Sequence, residues 1–383
     1  MHAVPGSLTD VLPAVAALVG VDQGLDLRLD QRVDRLDLRS RVGDVRRVCV
    51  LLVDGMGFHL LPAMAPHAPL LAEVLRGATG SLTELACTLP STTPTSLVSF
   101  GTGAQPGEHG VLGFTLNIPG TDRVLTHIVW RADPPPDQWQ PVRTWFQRLV
   151  GAGADATAVL PEAFLGSGLT EAAYRGARMV GVRATDDYAE RLLAELPATR
   201  GLVYGYTSAL DTAAHVFGID SPEWAAAAAG VDALLTRLVE GLPADAALIV
   251  TADHGGLDIA ADARIDLDAD PRLNEGLAVV AGEPRLRYLH TVDGATGDVL
   301  ERWRAVLGSR AMVLGRDEAI DTGWFGPVPA AHRLRIGDVV VVCTDPVAIL
   351  ASRHEPPEVG RLVGFHGAAT AAETAIPLIT VRG

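Results

Sequence analysis

A chain of 383 residues, 48% hydrophobic and only 5% aromatic, has enough Ala, Val and Leu to bury one large α/β core with an insertion, or two domains. Its formal charge of −15 excludes a broad basic face for nucleic acid or an anionic membrane. All 31 basic residues are arginine, which excludes chemistry that needs a catalytic lysine, such as a Walker A phosphate loop, a Schiff base or pyridoxal phosphate.

The chain opens with Ser7-Leu-Thr-Asp10 ahead of VLPAVAALVG, a capped helix with Pro13 in its first turns. No basic region precedes this apolar stretch and Asp10 interrupts it, so no signal peptide is expected. No uncharged apolar run approaches the ~20 residues of a membrane span, and a cytoplasmic location is expected. Residues 22–47 alternate Asp and Arg, as a solvated approach to the first strand would. VCVLLV at 48–53 is a continuous apolar, valine-rich run of the kind buried on both faces of a sheet.

Asp54 follows that run, with Gly55 and Gly57 free to turn the backbone beneath a ligand. LPSTTPTS then crowds five hydroxyls before a helix beginning near Ser96. Such a helix start offers free N–H groups to a phosphate oxygen, or is simply a Ser/Thr-rich cap. His109 in PGEHG reads as a turn-stabilising residue. Pro119 to Pro141 is a long surface loop whose Trp130 and Trp139 either stack a base or pack locally.

From ATAVLP onward, through YAERLLAEL, GLVYGY, VDALLTRLVEGL and ALIVTAD, strand-like and helix-like stretches alternate. That rhythm implies a largely parallel sheet covered by helices on both faces. Asp211 and His215 share a face if a helix begins near Leu210. Asp253 and His254 end a strand before Gly255 and Gly256, and His366 stands between Gly364 and Gly367.

Residues 260–334 change character and suggest a small strand-helix-strand unit inserted in the main domain, carrying Arg285, Arg287 and His290. GDVVVVCT and AIPLITV are expected to return the chain to the large sheet. The expected architecture is a three-layer α/β/α sandwich with a mostly parallel central sheet. Residues 1–259 and 335–383 form its metal-binding core, and 260–334 a small α+β cap. Cys49, Cys87 and Cys343 are far apart with apolar flanks and read as buried thiols.

Asp54, Asp211 and Asp253 supply three carboxylates, His215, His254 and His366 three imidazoles, and Thr93 a hydroxyl. That is about what two divalent cations and a nucleophile require. The dinucleotide alternative is weak, because GAGADA at 151–156 lacks the third glycine of its fingerprint.

The ordered set Asp…Thr…Asp-x-x-x-His…Asp-His…His resembles the alkaline phosphatase superfamily, in its type I phosphodiesterase/nucleotide pyrophosphatase branch. TTPTSLVSFGTGAQPGEHGVLGF resembles the nucleophile segment and FHGAATAAETAIPLI the closing motif. The resemblance implies one cation on Asp211, His215 and His366. It implies a second on Asp54, Asp253 and His254, with Thr93 as both ligand and nucleophile and Thr92 the competing hydroxyl. Zinc suits that mixed set, with manganese the second choice.

The implied activity is hydrolysis of phosphodiester or pyrophosphate bonds in small nucleotide-type substrates through a phosphothreonine. Relatives that cleave nucleotide diesters carry asparagine three residues after the nucleophile, where this chain has Ser96. Ser96, Arg285 and Arg287 are therefore the candidate substrate contacts. A phosphomonoesterase or phosphonate hydrolase on the same site is the alternative within enzymes, and a catalytically inactive metal-binding or scaffold protein the alternative outside them.

Overall fold

The computed structural model describes residues 6–21 and 35–383. Most of the expected solvated approach, residues 22–34, lies outside the described residues. Ser7 opens the chain as anticipated: its N–H is held by Asp10 Oδ2 at 2.9 Å, and helix α1 (Val11–Leu18) follows.

Among the described residues, the strands of the two main sheets, in chain order, are β1 (Arg47–Val53), β2 (Ser81–Ala86), β3 (Asp155–Pro161), β4 (Arg178–Val182), β5 (Gly201–Thr207) and β6 (Ala246–Thr251). They continue as β7 (Leu277–Glu283), β8 (Leu286–Thr291), β9 (Ala311–Gly315), β10 (Val339–Cys343) and β11 (Ala375–Arg382). The central sheet has seven strands in the order β2-β11-β6-β1-β5-β3-β4. Parallel pairing sets Arg47 of β1 opposite Gly201 of β5 and Ala246 of β6. Only β11 runs the other way, against β2 and β6.

Successive strand residues face opposite sides of a sheet. On β5, Tyr204 packs its ring against Phe100 of helix α2 (Thr93–Thr102), centroids 5.1 Å apart. Its neighbour Gly205 faces Leu192 and Tyr188 of the helix Tyr188–Ala194. The sheet is thus covered on both faces, one helix set including α1 and α2. The other includes α3 (Ala209–Phe217) and α4 (Pro222–Gly241). That is why Val48 to Val53 are fully buried without alternation. No described helix is long and apolar enough to cross a membrane.

The inserted region is a four-stranded antiparallel sheet, β7-β8-β10-β9, backed by helix α5 (Thr296–Leu307). Its first half is a hairpin rather than a single strand. Here the expectation for GDVVVVCT is corrected. Val339–Cys343 is β10 of the small sheet, with Val342 opposite both Leu286 and Met312, so that sheet extends past the expected boundary at 335. A run buried on both faces carries no mark of which sheet buries it, and only its partners decide. AIPLITV does return to the central sheet, as β11.

Candidate active site

Asp54 directly follows β1, Asp253 and His254 follow β6, and Asp211 and His215 sit on α3 just beyond β5. Thr93 opens α2 after β2, and His366 precedes β11. Because β11 runs against its neighbours, its entry lies at the same edge as the carboxyl ends of the parallel strands, where open α/β sheets gather ligands. One glycine is needed for this convergence. Gly55 has φ +70°, and a Cβ there would lie 2.8 Å from Asp211 Cβ. A cleft of about 500 Å³ between Asp155, Arg178 and Glu195 lies at the opposite, amino end of β3 and β4.

All seven expected residues come together. His254 Nε2 lies 3.3 Å from Asp54 Oδ1, 3.5 Å from Asp253 Oδ2 and 3.1 Å from Thr93 Oγ1. Thr93 Oγ1 is 3.5 Å from Asp54 Oδ1. His215 Nε2 lies 3.2 Å from both Asp211 Oδ2 and His366 Nε2. The rings of His254 and His366 stack at 3.6 Å, 16° from parallel. Among the described residues, two trios place ligand atoms mutually within 4.8 Å: Asp54, Asp253 and His254, and Asp211, His254 and His366. His254 thus stands between the two groups instead of belonging to one alone.

The second ring nitrogens explain this orientation. Nδ1 of His215, His254 and His366 lies 2.8 Å from the carbonyls of Gly364, Gly255 and Ser91 respectively. A carbonyl only accepts, so each Nδ1 keeps its proton and Nε2 is the nitrogen able to offer a lone pair to the centre. The tautomers follow from this hydrogen-bond geometry. Asp253 Oδ2 is buried with no hydrogen-bond partner. An orphaned carboxylate oxygen beside converging imidazoles fits divalent cations with nitrogen and oxygen ligands.

The electrostatics agree. Burial, with the charges of Asp253 and Asp211, pushes the Asp54 carboxyl well above the carboxylate range, while the Tyr206 hydroxyl opposes this. Burial acts the same way on Asp211, but His215, His366 and His254 hold it well below that range. Burial would lower His215, yet the Asp211 charge and the Gly364 carbonyl prevail and raise it to about 9. Burial and the neighbouring His254 push His366 well below the imidazole range. Shifts this opposed mark a crowded cluster of buried, mutually interacting charges.

A family model described as type I phosphodiesterase / nucleotide pyrophosphatase matches residues 48–369. The chain belongs to this family. No curated protein matches it. Among solved structures, murine ectonucleotide pyrophosphatase/phosphodiesterase 5 superposes with a TM-score of 0.69 at 17% identity, covering 87% of each chain. The same mouse protein as an inactive threonine-to-alanine variant, in complex with AMP, gives 0.68 at 17% identity over 87% of each chain. Phosphonoacetate hydrolase from Sinorhizobium meliloti 1021, in complex with phosphonoformate, gives 0.64 at 23% identity, covering 88% of this chain and 90% of that one. At these identities the likeness establishes the shared fold.

Within this family member, Thr93 rather than Thr92 faces the cluster. Thr92 is the extended N-cap of α2 and fully buried, its hydroxyl unpartnered. Ser96 lies in the first turn of α2, fully buried, also with an unpartnered hydroxyl. Ser91, which the sequence did not single out, zips the nucleophile loop to the closing motif. Its N–H donates to Gly367 O at 3.2 Å and its hydroxyl to Ala368 O at 2.7 Å. His109 accepts the Val111 N–H through Nδ1 at 3.1 Å and so holds a turn.

The expected substrate contacts on the cap are corrected. Arg285 is fully buried and grips both oxygens of Glu373, through Nε at 3.0 Å and Nη2 at 2.8 Å. Its Nη1 is committed to the carbonyls of Asp345 and Val347, each at 2.6 Å. Arg287, also buried, pairs with Glu355 at 2.6 Å and donates to Ile349 O. Both guanidiniums hold the small sheet to its surroundings and have no face left for a ligand. The small sheet instead sends Glu283 toward Gly367, whose Cβ, if it had one, would sit 2.8 Å from the Glu283 carboxyl carbon.

Neither tryptophan is placed to stack a base. Trp130 is buried with its N–H on Pro134 O at 2.9 Å, and Trp139 is buried with its N–H on His127 at 3.1 Å. Beside Thr93 lies a small slot of about 80 Å³ lined by Leu97, Ile128, Leu160, Phe164, Tyr174 and Tyr206, with no charged side chain.

Proposed function

We propose that this phosphoric ester hydrolase cleaves a phosphodiester or pyrophosphate bond, with Thr93 as nucleophile. Asp54, Asp253 and His254 on one side, and Asp211, His215 and His366 on the other, would hold two divalent cations. Zinc best matches the donor set, with manganese second. The observation that carries the reading is Thr93 Oγ1 at 3.1 Å from His254 Nε2 and 3.5 Å from Asp54 Oδ1. Divalent cations supply Lewis acidity there, lowering the pKa of a coordinated hydroxyl and stabilising a departing oxygen.

The chain's own residues set the course of the reaction. Thr93 gives up its hydroxyl proton to solvent, Oγ1 attacks phosphorus in line to form a P–O bond, and the leaving oxygen departs with the old bond's electron pair. Water then attacks the phosphothreonine from the vacated side and frees Thr93. The first turn of α2 leaves backbone N–H groups without intrahelical partners, placed to hold phosphoryl oxygens.

Charge favours a diester over a monoester. A terminal phosphate dianion carries one more charge and calls for a cationic side chain. The slot beside Thr93 offers none, and Arg285 and Arg287 are consumed by Glu373 and Glu355. The AMP complex of the mouse relative's inactive variant supports a nucleotide-type substrate and a working threonine.

The test compares bis-nitrophenyl phosphate, nitrophenyl phosphate and phosphonoacetate on wild type and Thr93→Ala, with zinc or manganese present. A diester preference in kcat/KM of at least about ten-fold is expected. Thr93→Ala should lose on the order of 10³-fold or more in kcat. A monoester or phosphonate preference would overturn the substrate class. Undiminished turnover in the variant would overturn the choice of nucleophile.

A further inference from the structure

Tyr206 lies near the end of β5, buried at 7% exposure, and its hydroxyl donates to Asp54 Oδ2. The other oxygen of Asp54, Oδ1, faces Thr93 Oγ1 at 3.5 Å and His254 Nε2 at 3.3 Å. A carboxylate has two equivalent oxygens and swings on a short stem, so either or both can turn toward a ligand. The phenol ends that equivalence by engaging Oδ2 and leaving Oδ1 to the cluster.

Tyr206 is itself held on rigid structure. Its N–H donates to the Tyr188 hydroxyl at 2.7 Å. That hydroxyl lies 2.8 Å from Val159 O and 3.1 Å from Tyr206 O and donates to one of them. The Tyr206 ring meets Phe164 edge-on, centroids 6.0 Å apart at 65°. Parallel pairing puts Leu52 opposite Tyr206, and the Asp54 N–H donates to Thr207 O at 2.9 Å. The sheet therefore sets the separation of phenol and carboxylate, and sites built on strands are held more tightly than sites on loops.

We propose that Tyr206 is a positioning residue whose phenol holds Asp54 so that a single oxygen, Oδ1, is presented to the cation beside Thr93. The inference rests on the reading that Asp54 holds such a cation. Hydrogen-bond partners of metal ligands orient those ligands, and their loss costs about 10–100-fold in metal affinity or activity. A purely structural role would predict something else: a buried phenol satisfied by the nearest acceptor, whose removal alters stability alone.

Tyr206→Phe in the full chain separates the two, because it keeps the ring and the slot and removes only the hydroxyl. Calorimetric titration with Mn²⁺ should show about ten-fold weaker uptake than wild type. At saturating Mn²⁺, kcat on bis-nitrophenyl phosphate should fall by a similar factor while KM stays within about two-fold. Melting the same variant with and without Mn²⁺ gives a second measure, and the cation-induced rise in Tm should shrink. Equal Mn²⁺ affinity and kcat in the two proteins would overturn this inference and leave the proposed function standing. A wild-type chain that takes up no Mn²⁺ or Zn²⁺ would overturn both.

Discussion

Cation uptake should drive a proton off His215. In the cation-free protein, burial disfavours a charged imidazole at this position, but Asp211 Oδ2 at 3.2 Å and the Gly364 carbonyl at 2.8 Å prevail and raise it to about 9. At pH 7 both ring nitrogens therefore carry protons, whereas a ligand must free Nε2. Two pH units below that value, displacing the proton costs on the order of 3 kcal/mol, roughly 100-fold in affinity relative to the deprotonated imidazole. The folded-state value lies above the unfolded one, near 6.5. The stability that His215 contributes to the cation-free protein is thus complete below about pH 6.5 and is lost as pH rises through about 9. The loss amounts to about 3 kcal/mol. Titration with Mn²⁺ at pH 7, in buffers of different ionisation enthalpy, counts the protons released. Wild type should release about one more than His215→Asn, and its affinity should climb between pH 7 and 9. Equal proton release and a flat affinity over that range would refute the reasoning.

Arg285→Met should destabilise the protein by about 3–5 kcal/mol in urea unfolding, because it strands the Glu373 carboxylate without its buried partner. Its KM should stay within about two-fold, and a large KM rise at constant stability would restore a substrate role to that arginine. Gly101→Ala should cost about 1–3 kcal/mol, since its Cβ would come within 1.9 Å of Ala173 O, and should also lower kcat by displacing α2 beneath Thr93. Unaltered melting in that variant would show that the helix contact yields freely.

What was legible in the sequence is what depends on neighbours along the chain. VCVLLV, GLVYGY and ALIVTAD are runs long enough to announce strands, and they became β1, β5 and β6. The ligand types stand immediately beyond those runs, so the edge of the sheet on which they meet followed from the rule for open α/β sheets. Contacts that bridge long stretches of chain left no such trace. Tyr206 and Asp54 are 152 residues apart, and nothing near either one advertises the bond. Arg285 and Arg287 read as candidate substrate contacts because charged side chains are rarely buried unless paired, and their acidic partners lie in segments 88 and 68 residues further on. The tryptophans took the second of their two readings, local packing. A Pro- and Asp-rich loop looks wet, but its two indoles turn inward and find acceptors on Pro134 and His127. The four valines of β10 were recognisable as a strand, while their sheet was settled by β8 and β9 on either side.

The lone reversed strand has a bearing on biosynthesis. His366 and the Ser91 zipper tie the nucleophile loop to the segment leading into β11, so the other six strands are already made when that segment emerges. A nascent chain can collapse around its valine-rich interior long before it has a full set of ligands. If the cluster takes up cations, loading must await these last residues, and a chain cut before residue 366 would also lack the strand that joins β2 to the rest of the central sheet.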